Sequence, residues 1–101
     1  MTRVVWTRPG RDDLREIRAY IARDSAHYAR LVVEGLVHAV DRLRDYPLSG
    51  RVVPELEQPT IREVIAGQYR VVYRVTADAV QVLTVVHGAR HFPSPKLSRD
   101  G

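Results

Sequence analysis

The sequence predicts an α+β fold in which a two-helix hairpin packs on one face of a small, mainly antiparallel β-sheet. Three observations carry that expectation. The chain opens on a β-branched and aromatic tetrapeptide, Arg-Val-Val-Trp at residues 3–6. Apolar residues then recur at helical spacing in two consecutive stretches, parted only by Asp24-Ser25. Beyond residue 60 the apolar period changes to two, in three stretches joined by short polar links. The order of elements is β-α-α-β-β-β.

The first helix is expected over residues 9–23. Thr7 offers an N-cap oxygen, Pro9 suits an early helical position, and Asp12 and Asp13 are expected to supply first-turn negative charge. Leu14, Ile17, Tyr20 and Ile21 supply its apolar face. The second helix is expected from about Ala26 to Arg44. Its broad apolar stripe includes Tyr28, Leu31, Val32, Leu36, Ala39, Val40 and Leu43, and Pro47 and Gly50 end it. So short a break between the helices implies an antiparallel hairpin. Residues 46–60, with Pro47, Gly50, Pro54 and Pro59, read as one long irregular stretch.

Three strands follow, over residues 61–66, 69–76 and 80–87, linked by Gly67-Gln68 and Ala77-Asp78. Links this short make them an antiparallel meander. In the middle strand Tyr69, Val71, Tyr73 and Val75 share one face, and Arg70, Val72 and Arg74 share the other. With the helices on one side, the arginines are expected on the open, solvent side. The end of the chain, residues 93–101, is expected to be a loosely held tail.

With 101 residues, 45 % apolar and 28 % charged, the composition is that of one globular domain. No apolar run approaches the roughly 20 residues that cross a bilayer, and no apolar core follows Met1 before charge resumes. A cytoplasmic protein without membrane contact is the expectation. There is no cysteine, which excludes disulfides, thiolate catalysis and Cys-ligated zinc. The formal net charge is +4, and Lys96 is the one lysine beside 15 arginines. Arginine offers a planar fork that matches phosphate and carboxylate alike, so the charge suits nucleic acid or an acidic protein partner.

The residues that could carry chemistry are few. Arg70 and Arg74, near His87 and Arg90 at the end of the next strand, could bind phosphate; the plainer reading is a solvated strand face. His87 could donate a proton, having an unperturbed pKa near neutrality, or simply cap its strand. Glu55 and Glu63 could each act as a general base or serve only in salt pairing. His87 and His91 are four apart across a strand end, so helical metal-ligand geometry is not implied, and no metal or other cofactor is expected. Leu48-Ser49-Gly50 is a turn, not a nucleophile elbow, and the glycines are isolated rather than gathered in a phosphate loop.

At the level of ordered segments the chain resembles the RelE/ParE superfamily of toxins. The segments are Trp6 followed by Asp13-Leu14, Ile17 and Tyr20-Ile21; Gly50 to Leu56; Ile61-Arg62-Glu63; Tyr69 to Val75; and Val85 to Arg90. Together they span about residues 4–92. The resemblance implies the toxin half of a type II toxin–antitoxin pair, neutralised by a cognate antitoxin protein. Two activities occur on this fold. RelE-like members cut mRNA on the ribosome, without a metal, by activating a ribose 2′-hydroxyl. ParE-like members poison DNA gyrase and lack those catalytic side chains.

Carried over residue by residue, Arg70 matches a strand arginine of the RelE-like and YoeB-like toxins, and Arg90 an arginine just after the last strand. Glu55, in Pro54-Glu55-Leu56, falls where YoeB-like members have their base, and His87 within about one residue of their acid. The ribosome-dependent endonuclease is the reading leaned to, with Glu55 as base, Arg70 and Arg90 around the phosphate and His87 as acid. Arg51, Arg62 and Arg74 are the substrate-binding candidates that replace the catalytic lysines of RelE-like members, which have no counterpart here. The ending Val86-His87-Gly88-Ala89-Arg90 is also similar to ParE-type proteins, so gyrase poisoning stands as the alternative. A third alternative is a non-toxic module that only binds its partner. As a solvent-face residue, Arg70 is expected to be replaceable by alanine without loss of fold.

Overall fold

A computed structural model describes residues 2–88. Arg90 and the expected tail, residues 93–101, lie outside the described residues. The order is β1 (Arg3–Trp6), α1 (Arg8–Ala22), α2 (Ala26–Asp41), a 3₁₀ turn at Arg42–Arg44, β2 (Arg51–Val52), β3 (Ile61–Ala66), β4 (Tyr69–Val75) and β5 (Ala79–His87). They form a five-stranded sheet in the order β1-β5-β4-β3-β2. β1 runs parallel to β5 and every other neighbouring pair is antiparallel. The α+β hairpin-on-sheet fold is therefore as expected, with one short strand added. β2 lies inside the stretch read as irregular, because two residues between Gly50 and a proline-rich loop show no period.

Each helix has its expected N-cap, but α1 begins at Arg8, so Asp12 and Asp13 fall beyond its first turn, which holds no acid. Thr7 Oγ1 accepts from Gly10 N–H at 3.3 Å and Ser25 Oγ from Tyr28 N–H at 3.0 Å. Gly10 lets α1 approach β5, since a Cβ there would lie 2.7 Å from the Val82 carbonyl oxygen. Gly67, at φ 61°, makes the β3–β4 hairpin turn.

The core between helices and sheet is built from Leu36 and Val40 of α2 against Val71, Val82 and Val85, with Leu43, Tyr73 and Val80 packed beyond them. Two positions of the α2 stripe depart from expectation. Tyr28 and Leu31 are 54 % and 50 % exposed. They sit toward the α1–α2 turn, where the hairpin overhangs the sheet instead of lying on it.

The opposite face of the sheet is not open. Val53 and Leu56 of the connecting loop close over Ile61, Val72, Leu83 and Val86, making a second small core. Burial of those apolar groups gives the loop a reason to stay down. The chain also departs from simple alternation in β5. Val72 pairs with Thr84 but Tyr73 with Val82, so Leu83 is an extra residue, a β-bulge. Val80 and Val82 face the helices before the bulge, and Val85 and His87 do so after it. Among the described residues no helix is long and apolar enough to cross a membrane.

Candidate functional site

The loop-covered face holds a cluster of four charged side chains. β4 carries Arg70, and the register sets Glu63 of β3 on the same face, two residues along from its partner. Arg51 pairs with Glu63 across β2 and β3. The fourth member comes from the loop. The N–H groups of Leu56 and Glu57 donate to the Val53 carbonyl at 3.1 and 2.9 Å, and Glu57 takes a positive φ of 53°. That turn lays Glu55 over the sheet.

Glu55 grips the guanidinium end-on: Arg70 Nη1 donates to Oε2 at 3.0 Å and Nη2 to Oε1 at 2.9 Å. On the other edge Arg70 Nε donates to Glu63 Oε1 at 2.9 Å, and Nη2 donates to the same oxygen. Arg51 Nε donates to the remaining Glu63 oxygen at 2.6 Å. Two cations thus meet two carboxylates, in bidentate geometry at Arg70. Glu63 is fully enclosed and the Arg70 residue is 6 % exposed. The hydrogen bonds that Arg70 donates to Glu55 raise the Arg70 pKa above its ordinary value, against the opposing effect of burial, with Glu63 adding to the rise. The expectation of a solvent-face Arg70 is corrected: loop residues 53–57 cover it, and a period-two pattern cannot report what a distant loop covers.

The other candidates are dispersed. Arg74 alternates onto the Arg70 face but lies at the far end of β4, opposite Ile61 and Gln81. Arg62 pairs with Tyr73 on the helix side, where its Nη1 donates to the Gly50 carbonyl at 2.9 Å. There it belongs to a latch that sequence reasoning missed. The Tyr73 hydroxyl accepts from Gly50 N–H at 3.0 Å and donates to the Pro47 carbonyl at 2.9 Å. Burial raises the Tyr73 pKa. Among the described residues no cluster of three His, Asp or Glu side chains is placed to hold a metal.

His87 lies on the helix side, paired with Tyr69, whose ring it meets edge-on at 5.6 Å between centroids. Its expected proximity to Arg70 is corrected, because the bulge at Leu83 turns it to the other face. It borders a groove of about 1500 Å³ between the β3–β4 hairpin and the overhanging helices. Tyr20, Tyr28, Leu31 and Tyr69 line this groove, and the first three are half exposed or more. Burial raises the Tyr69 pKa, and the neighbouring Tyr28 and Tyr20 add to the rise. The proposed base and acid, Glu55 and His87, are therefore on opposite faces of one sheet.

Comparison with known proteins agrees with this architecture. The family described as the ParE toxin of the type II toxin–antitoxin system, parDE, has a model that matches residues 4–92. A candidate toxin of Sinorhizobium fredii, Y4kP, is 39 % identical over 92 residues, which is 90 % of this chain and 93 % of that one. The structure of the chromosomal ParDE system from P. aeruginosa is similar in fold, with a TM-score of 0.72 at 24 % identity over 86 % of this chain and 96 % of that one. The RelBE2 toxin–antitoxin complex from Mycobacterium tuberculosis gives a TM-score of 0.60 at 25 % identity, over 88 % and 93 % of the two chains.

Proposed function

The chain belongs to the ParE toxin family of type II toxin–antitoxin systems, and on that premise we propose that it arrests growth as a ParE-like poison of DNA gyrase, held in check by a cognate antitoxin. The observation that carries this reading over the endonuclease is the separation of Glu55 from His87 by the sheet. Cleavage by a 2′-hydroxyl needs base, phosphate donors and acid converging on one in-line phosphate, each within hydrogen-bond reach of it. Here the base candidate is spent on Arg70, and the acid candidate faces a groove behind the sheet. A toxin whose described residues lack that constellation acts by occupying its target.

The antitoxin is the partner that the groove suits. Exposed tyrosines and aliphatic side chains gathered in one concave surface are characteristic of protein recognition. The RelBE2 structure is itself of a toxin–antitoxin complex, which supports the same kind of partner here.

The test is a pair of reactions on the purified full chain. Gyrase supercoiling should be inhibited, with linear DNA accumulating from trapped cleavage complexes, while ribosome-bound mRNA stays intact. Excess antitoxin should restore supercoiling. Transcript cleavage with gyrase untouched would overturn the proposal and return the ribosome as the target.

A further inference from the structure

Arginine is unevenly placed on α1. Arg8, Arg11, Arg15 and Arg18 follow at intervals of three and four residues, and all four are exposed. At 3.6 residues per turn they fall within about 80° of one another, on a ridge about 15 Å long. The helix's acids, Asp12, Asp13 and Glu16, lie to the other flank, and Asp13 turns inward to accept from Val85 N–H at 3.0 Å. Arg18 and Arg30 of α2 both border a shallow cleft, which Glu34, Ala22, Ala26 and Val33 also line.

Helix stability does not call for this arrangement. Like charges three and four apart repel, and Arg8 and Arg11 stand at the positive end of the helix dipole. Arg11 has a structural use, donating to the Trp6 carbonyl at 2.9 Å. Arg15 is 3.8 Å from Asp12, with its side chain 77 % exposed, a contact of little weight.

We infer that this ridge docks the sugar–phosphate backbone of duplex DNA. A 15 Å length of duplex presents about four phosphates on one strand, and each guanidinium fork can meet a phosphate through two donors. Among the described residues, no large apolar side chain stands exposed along the ridge. The exposed Tyr20, Tyr28 and Leu31 line the groove instead. Protein interfaces are built around such anchors, so an acidic protein would find charge here and nothing to seat on. The inference goes beyond the toxin reading, since backbone binding does not depend on which enzyme is poisoned.

The measurement is fluorescence anisotropy of a labelled 20-base-pair duplex titrated with the full chain at several salt concentrations. The test variant is Arg8→Gln/Arg15→Gln/Arg18→Gln, which spares Arg11. The control, Arg3→Gln/Arg42→Gln/Arg44→Gln, removes the same three charges at exposed positions elsewhere. Circular dichroism melting establishes that each is folded. The test variant should flatten the slope of log affinity against log salt by about 2.7, so that the wild type loses about 40-fold more affinity than the variant between about 50 and 200 mM salt. The control should stay within about one unit of the wild-type slope. Equal flattening by both variants would reduce the effect to net charge and overturn the inference. An unchanged slope in the test variant would overturn it too, as would loss of binding to a polyglutamate peptide with DNA binding retained.

Discussion

Glu55 holds Arg70 through both carboxylate oxygens, at 2.9 and 3.0 Å, across fifteen residues of chain. The contact fastens the 53–60 loop to the middle of the sheet and closes the face that period-two alternation leaves open. It also turns the cation most suited to phosphate into an internal counter-ion.

Arg70→Ala should destabilise the fold by about 3–5 kcal/mol, because it strands the fully buried Glu63 beside Arg51 alone. Urea denaturation gives the comparison. Glu55→Gln should cost less, since Glu55 keeps a quarter of its side chain in water. An Arg70→Ala midpoint equal to the wild type's would mean that the loop does not stay closed in solution.

Tyr73→Phe should cost about 1–3 kcal/mol, the penalty of leaving buried polar groups without partners. The lost hydroxyl serves both Gly50 N–H and the Pro47 carbonyl. The loss should concentrate in the 47–50 turn, where amide exchange of Gly50 should accelerate more than that of Val71 in the strand centre.

Alkaline pH should weaken the fold. Burial lifts Tyr73 and Tyr69 above the ordinary 10.0, so the unfolded chain loses these protons first. Their contribution is complete below pH 10 and declines as pH rises toward the folded values. Urea midpoints measured between about pH 8 and about pH 11 should fall at the upper end, and Tyr73→Phe should fall less steeply. A flat profile in the wild type would contradict the burial of both phenols.

Leu36→Ala should cost about 2–5 kcal/mol. Leu36 is 1 % exposed and packs with Val40 on Val71, Val82 and Val85. Thermal melting checks it, and toxicity should fall with the folded fraction.

Tyr28→Ser should separate folding from recognition. The residue is half exposed at the groove mouth, so stability should move by no more than about 0.5 kcal/mol. Affinity for the antitoxin, measured by calorimetry, should drop at least about tenfold, as loss of an aromatic anchor does. Undiminished affinity would move the antitoxin off the groove.

The local elements are legible in the order of residues, because each rests on neighbours in the chain. The helix expected over 9–23 runs over 8–22, and the one expected over 26–44 runs over 26–41 and continues into the 3₁₀ turn. The β3 strand has the expected bounds, and the hairpin turn at Gly67-Gln68 stands where glycine allows it. Caps, turn residues and apolar period act over a few residues, which is also why the resemblance to RelE/ParE toxins was legible in ordered short segments.

Which side chains meet depends on contacts between segments far apart in the chain. Alternation counted from Val80 sets His87 on the arginine face, and one extra residue at Leu83 reverses it. A bulge depends on how two strands register with each other, and no pattern within either strand records it. The burial of Arg70 is of the same kind. Glu63 reaches it through strand pairing, and Glu55 through a loop seated by the contacts of Val53 and Leu56 with the sheet. Period gives the face of a residue relative to its neighbours; only long-range packing decides whether that face meets water.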